Sequence, residues 1–133
     1  MRSDMRIRPA LLRAYRETCY EAAGIKVHIG GRCAAMDHLL LSHGARAAVF
    51  ITAYNPFSRI KPPGWNRRMQ IQLHQALRRR QVVCGRGTLG RWSEAHLLVF
   101  GDPRPLRRLA RRYRQNGIVI VRQRQFTRLG IAF

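Results

Sequence analysis

The spacing of apolar residues changes repeatedly along the chain, and each change marks an element. Leu11, Leu12, Tyr15 and Cys19 recur at near-helical intervals, so a helix is expected over residues 8–18. TCYE and IKVHI then read as two strands of a hairpin around Gly24. In AAMDHLLLSHG, Met36, Leu39 and Leu40 share one face and Gly44 stands where a helix ends, which predicts about two helical turns. RAAVFITAY is continuously apolar, the pattern of a strand buried on both faces in mid-sheet. NRRMQIQLHQALRRR repeats apolar residues at Met69, Leu73, Ala76 and Leu77, an amphipathic helix with Asn66 as its expected N-cap. QVVCG reads as a short strand, RGTLGRWSE as a loop and AHLLVFG as another buried strand. Asp102 is placed to cap a helix with Pro103 in its first turn, and Leu106, Leu109, Ala110 and Tyr113 form its inward stripe. GIVIVRQ and RLGIAF close the chain as two strands.

This succession predicts an α+β fold with a mainly antiparallel sheet. From residue 46 on, the order strand, helix, strand, strand, helix, strand, with one extra strand, is the ferredoxin-like (split β-α-β) order. The two longer helices are expected on one face. A length of 133 residues suits one core, so a single domain is expected over 1–133: an N-terminal helix, hairpin and short helix in 1–44, added at an edge or over the other face, and a β-α-β-β-α-β-β core in 45–133. No internal repeat, low-complexity tract or linker interrupts it.

Composition adds a partner class. The chain carries a formal net charge of +20, and since only Lys26 and Lys61 are lysines, 24 of its 26 basic residues are arginine. A field of this sign favours polyanions, and the guanidinium fork matches phosphate geometry. Arg78, Arg79 and Arg80 end one expected helix, while Arg104, Arg107, Arg108, Arg111 and Arg112 line the outward face of the next. If both helices share a side of the sheet, these arginines form one surface able to track a phosphate backbone, so nucleic acid or another polyanion is an expected partner and an acidic protein a further one. The plain alternative is a solvated charged face. Aromatic residues suited to stacking bases, Trp65, Trp92, Tyr54 and Phe57, fall near residues 52–66 rather than on the arginine helices.

Other classes lose support. No apolar run reaches the roughly 18 residues of a membrane span, and the N-terminal MRSDMRIRPALLRAYRETCY is broken by Asp4, Glu17 and arginines where an export signal needs an apolar core, so a soluble, cytoplasmic protein without membrane contact is expected. Cys19, Cys33 and Cys84 form no C-x-x-C pair and read as reduced thiols. Cys33, His38 and His43 are spaced by five, which sets the two histidines about 140° apart on a helix, and His28, His74 and His96 fall in separate elements. No metal site and no cofactor is expected.

The stretch FITAYNPFSRIKPPGWN, residues 50–66, is the best candidate site. Thr52 and Asn55 stand at the end of the expected central strand, where open α/β sheets collect ligands. Asn66 opens the expected next helix, whose first N–H groups are unpaired and whose dipole end is positive. With Ser58 in the loop and Arg67 and Arg68 in the first turn, an anion such as phosphate or carboxylate is the expected ligand. The same residues also fit a purely structural role, with Thr52 and Asn55 organising a turn, Pro56 fixing a backbone angle and Asn66 capping. Glu94, between Trp92 and a buried strand, is a weak catalytic candidate as general base, or an ion-pair partner for an arginine. No Walker-type loop and no supported nucleophile–base pairing accompanies it.

AYRETCY near the start, FITAYNPFS, Asn66, RWSEAHLLVFG, RRYRQNGIVIV and RLGIAF occur in an order that resembles a bacterial family, the domain of unknown function numbered 3293. The resemblance runs from about Ala14 to the end of the chain. Two positions depart from it: Tyr113, Arg114 and Gln115 stand where the family often has Phe-Gly-Gln, and His96 where it tends to have serine. The resemblance implies a domain boundary rather than an activity. The leading expectation is a small basic binding module that contacts polyanions through its arginine faces and holds an anion at 52–66. The alternatives are a small-ligand domain or enzyme with a pocket at Thr52, Asn55, Asn66 and Glu94, and an interaction subunit for an acidic protein.

Overall fold

The computed structural model describes residues 7–133; residues 1–6, the start of the expected N-terminal extension, lie outside it. In chain order the elements are α1 (Pro9–Glu17), β1 (Cys19–Ala22), β2 (Ile25–Val27), α2 (Ala34–Ser42), β3 (Ala47–Ile51), α3 (Pro63–Ala76), β4 (Val82–Leu89), β5 (Trp92–Phe100), α4 (Pro103–Arg112), β6 (Gly117–Arg122) and β7 (Arg128–Ile131), with a 3-10 turn at Pro56–Ser58. The strands form one sheet in the order β2-β1-β4-β5-β3-β6-β7, every neighbouring pair antiparallel. The fold is α+β.

All five residues of β3 are buried because helices cover both sides of the sheet. Val49 and Ile51 point to a core closed by Leu73 and Leu77 of α3 and Leu106 and Ala110 of α4. Ala48 and Phe50 point the other way, to Met36 and Leu40 of α2, with Tyr15 of α1 packed against that cluster. The two longer helices thus share one face, and the N-terminal third supplies both an edge, β1 and β2 beside β4, and a cover for the other face. Within the core each β-α-β unit strides over one strand: β3-α3-β4 leaves room for β5, and β5-α4-β6 for β3. The sheet curls enough for the loop after β2 to meet the entry to β7, through Gly30 N–H to Thr127 O at 2.7 Å and Thr127 N–H to Gly31 O at 2.8 Å. That contact ties together loops from the two outermost strands, whose free edges would otherwise invite pairing.

Two local expectations are corrected. RGTLGRWSE is no loop: β4 and β5 form a long hairpin registered from Val82↔Val99 to Leu89↔Trp92, turning at Gly90, whose φ of 58° glycine adopts without strain. Asn66 does not open α3. The helix begins at Pro63, where the proline ring pre-sets φ and no N–H is wasted, so Asn66 lies inside the first turns, buried, with no capping bond. At α4 the expected cap is present: Asp102 Oδ1 accepts from Arg104 N–H at 2.9 Å. Arg104's side chain also hydrogen-bonds Asp102, which holds the Asp102 carboxyl down at about 2.

Candidate functional site

Beyond the last residue of β3 the chain is held by side chains rather than by the ladder. Thr52 Oγ1 donates to Ala95 O at 2.7 Å and accepts from Tyr54 N–H at 3.1 Å, while Ala53 N–H donates to Gln70 Oε1 at 2.8 Å. Asn55 is the centre of the arrangement. Its Oδ1 accepts from Asn66 Nδ2 at 2.9 Å and from Lys61 N–H at 2.8 Å, and its own N–H donates to Asn66 Oδ1 at 3.0 Å. The remaining donor, Asn55 Nδ2, reaches Glu94 Oε2 at 2.7 Å.

This network holds a strained turn. Asn55, Phe57 and Ser58 all have positive φ, at 44°, 51° and 62°. Asparagine tolerates that region through local hydrogen bonding; for Phe57 and Ser58 it costs on the order of 1–3 kcal/mol each. Contacts from the α4–β6 connection hold the turn in place: Phe57 N–H donates to Arg114 O at 2.7 Å, Asn116 Nδ2 to Ser58 Oγ at 3.1 Å, and Gln115 Nε2 to Tyr54 O at 3.0 Å.

The turn forms one wall of a cavity of about 360 Å³ at the C-terminal end of β3, on the face covered by α1. Its floor is a row across three strands, Tyr20 of β1, Gly87 of β4 and Glu94 of β5, in which Gly87 has no side chain to fill the space. Two residues along β5, His96 faces the same way. His96 Nδ1 lies 3.1 Å from Glu94 O, and since a carbonyl only accepts, Nδ1 carries the proton and Nε2 presents its lone pair. Burial pushes the His96 pKa down, so the ring is neutral. Burial pushes the Tyr15 and Tyr20 hydroxyls up, which keeps both as protonated donors at neutral pH. Exposed Ile60 and Trp92 rim the opening. Among the described residues Glu94 is the one charged residue of the lining, no lysine or arginine joins it, and no basic side chain lies within ion-pair distance of it.

Residues 51–118 match a family model described as Protein of unknown function (DUF3293). The chain belongs to this family. No curated protein and no solved structure matches it. The matched span contains Thr52, Asn55, Asn66, Glu94 and Gln115, whereas Tyr15 and Tyr20, which complete the cavity, come from outside it.

Thr52, Asn55, Ser58 and Glu94 therefore meet at the cavity, with Asn66 directly behind Asn55. Arg67 and Arg68 are exposed on α3 and do not line it. Arg78, Arg79 and Arg80 are exposed just past α3, and Arg104, Arg108, Arg111 and Arg112 are exposed on α4, both on the sheet face opposite the α1-covered cavity. Arg107 departs from that surface: it is partly buried, its Nε has no partner and its Nη2 packs where a side chain on Gly130 would stand. His96, Tyr15 and Tyr20 were not anticipated as site residues. For His96 a signal existed, since two residues along a strand from Glu94 places both on one face; for the tyrosines none did, because only the tertiary fold brings α1 and β1 to β5. Among the described residues no cluster of three metal-ligating side chains occurs, and no helix is long and apolar enough to cross a membrane.

Proposed function

We propose that the chain is a small-ligand-binding domain whose ligand occupies the cavity between α1 and the 52–58 turn. Glu94 carries this reading. In a chain with 24 arginines a carboxylate kept only for stability has ample partners, yet Glu94 gives one oxygen to Asn55 and turns toward a cavity that, among the described residues, no arginine or lysine lines. The strained turn beside it supports the same reading, since backbone strain persists where the surrounding structure holds it and concentrates at functional sites. A volume near 360 Å³ lies in the range of small-molecule pockets. The test is a screen of small metabolites against the isotopically labelled full chain by amide chemical shifts. Compounds that bind are expected to move the signals of Asn55, Glu94, Gln115 and Gly117; binders that all map elsewhere would remove the proposal.

A second reading concerns the opposite face, and it accommodates the first. Arg80 packs against Gly101, next to the start of α4, so the arginines that follow α3 adjoin those of α4. This continuity supports a surface for a polyanion such as nucleic acid, bound through phosphates and weakened by salt.

A further inference from the structure

The chemistry of the cavity narrows the ligand class, on the premise that the cavity is a ligand site. The Tyr15 and Tyr20 hydroxyls can donate; the cavity's other unengaged polar groups are chiefly acceptors. Glu94 Oε2 takes the Asn55 bond, and Oε1 has no protein partner among the described residues. His96 presents the Nε2 lone pair. Gln115 and Asn116 commit their NH₂ groups to Tyr54 O and Ser58 Oγ, which leaves their carbonyl oxygens. A ligand rich in N–H donors satisfies these groups; an anion would meet Glu94 with no guanidinium or ammonium among the described lining residues to offset it. The rings of Tyr20, Tyr54 and Trp92 also line the space, and aromatic faces attract cations.

The overall charge of +20 opposes a cation at long range. That field is screened over about 8 Å at physiological ionic strength. The arginines of α4 and those that follow α3 lie across the sheet, and the contact with Glu94 is local and partly desolvated. At close range the carboxylate therefore decides.

We infer that the cavity takes a small ligand bearing a protonated amine, with the Glu94 carboxylate as its counter-charge and the aromatic rings as its walls. At roughly 30 Å³ per water-sized group, the space admits about a dozen non-hydrogen atoms.

The experiment uses the labelled full chain and two matched sets of probes: benzylamine, benzyl alcohol and benzoate, and butylamine, butanol and butyrate. Amide shifts are followed in wild type and Glu94→Gln, with thermal unfolding as the check on folding. Expected is a ranking with the amine first in at least one set, mapped to Asn55, Glu94, Gln115 and Gly117. Glu94→Gln, which keeps an acceptor for Asn55, should weaken the amine about tenfold or more and change the alcohol by less than about twofold. If the alcohol or the acid matches or exceeds the amine at these signals in wild type, the ligand class is wrong while the cavity remains a binding site. If none of the six probes moves these signals at millimolar concentration, the inference and the proposed function fall together. The wild-type ranking decides the question even if Glu94→Gln does not fold.

Discussion

Asn55→Asp isolates the bond on which the site is built. Aspartate tolerates the left-handed φ of 44°, and its Oδ1 can still accept from Lys61 N–H and Asn66 Nδ2. Only the atom 2.7 Å from Glu94 Oε2 changes, from an NH₂ donor to a carboxylate oxygen. Two carboxylates at that distance repel by several kcal/mol even at an effective dielectric of about 20. The loss is capped, because one of them can take up a proton and become the missing donor. At pH 7 protonating a carboxylate of ordinary acidity costs about 4 kcal/mol. A destabilisation of about 2–4 kcal/mol at pH 7 is therefore expected, read by denaturant unfolding; 3 kcal/mol corresponds to a fall of about 10 °C in thermal midpoint for a chain of this length. The sign with pH follows. In the variant the folded state holds a proton more tightly than the unfolded state, so the loss is small at low pH, grows by about 1.4 kcal/mol per unit above the ordinary carboxylate range, and levels off once pH passes the raised folded-state pKa, where the full repulsion is felt. The double variant Asn55→Asp with Glu94→Gln restores a donor, now on residue 94, and should recover more than half of the loss at pH 7. Simple additivity of the two substitutions, or a loss that does not change between pH 4 and pH 7, would refute the reasoning.

Three further outcomes are expected. Burial holds the His96 pKa below its unfolded value, so between these values the unfolded chain binds more protons; stability is present above about pH 6.5 and is lost as pH falls below it, and His96→Asn should flatten that part of the stability profile. Gly87→Ala would set a Cβ 2.9 Å from His96 Cε1 while Tyr20 lies edge-on to the same ring, so unfolding measurements should register a loss of about 1–3 kcal/mol, and an unchanged midpoint would contradict the packing. For the arginine face, joint replacement of Arg104, Arg108, Arg111 and Arg112 by serine should lower the dependence of log K on log salt for duplex binding by about 0.9 per lost phosphate contact; an unchanged slope in fluorescence anisotropy would show that these residues do not touch the polymer.

The sheet was legible wherever one local rule was enough. The apolar run of β3, the stripe and cap of α4 and the glycine after α2 each carry their own signal. The β4–β5 hairpin was hidden because three glycines and two arginines at residues 85–91 imitate a loop. Their reason is tertiary: a Cβ on Gly85 would meet Glu21 O at 2.9 Å, and one on Gly87 would meet His96. Asn66 misled for a related reason. Asparagine is a favoured cap, but Pro63 starts the helix earlier and frees the Asn66 amide to hold Asn55. Thr52, Asn55 and Glu94 could be named from the sequence, whereas their partners on α1 and β1 could not, since no local pattern encodes which helix covers which end of the sheet.

The two surfaces that the sequence suggested are separated by the sheet itself. Inward residues of β3 alternate between the α3–α4 core and the cluster beside the cavity, so the arginine helices and Glu94 face different solvent. This separation lets a chain of net charge +20 keep a carboxylate without a basic partner in the lining of its cavity. The arginine helices and the cavity are therefore not competing features of one surface. They lie on two faces, and a substitution on one should leave the other's behaviour within error, because sites that share no partner and lie more than about 10 Å apart add without coupling.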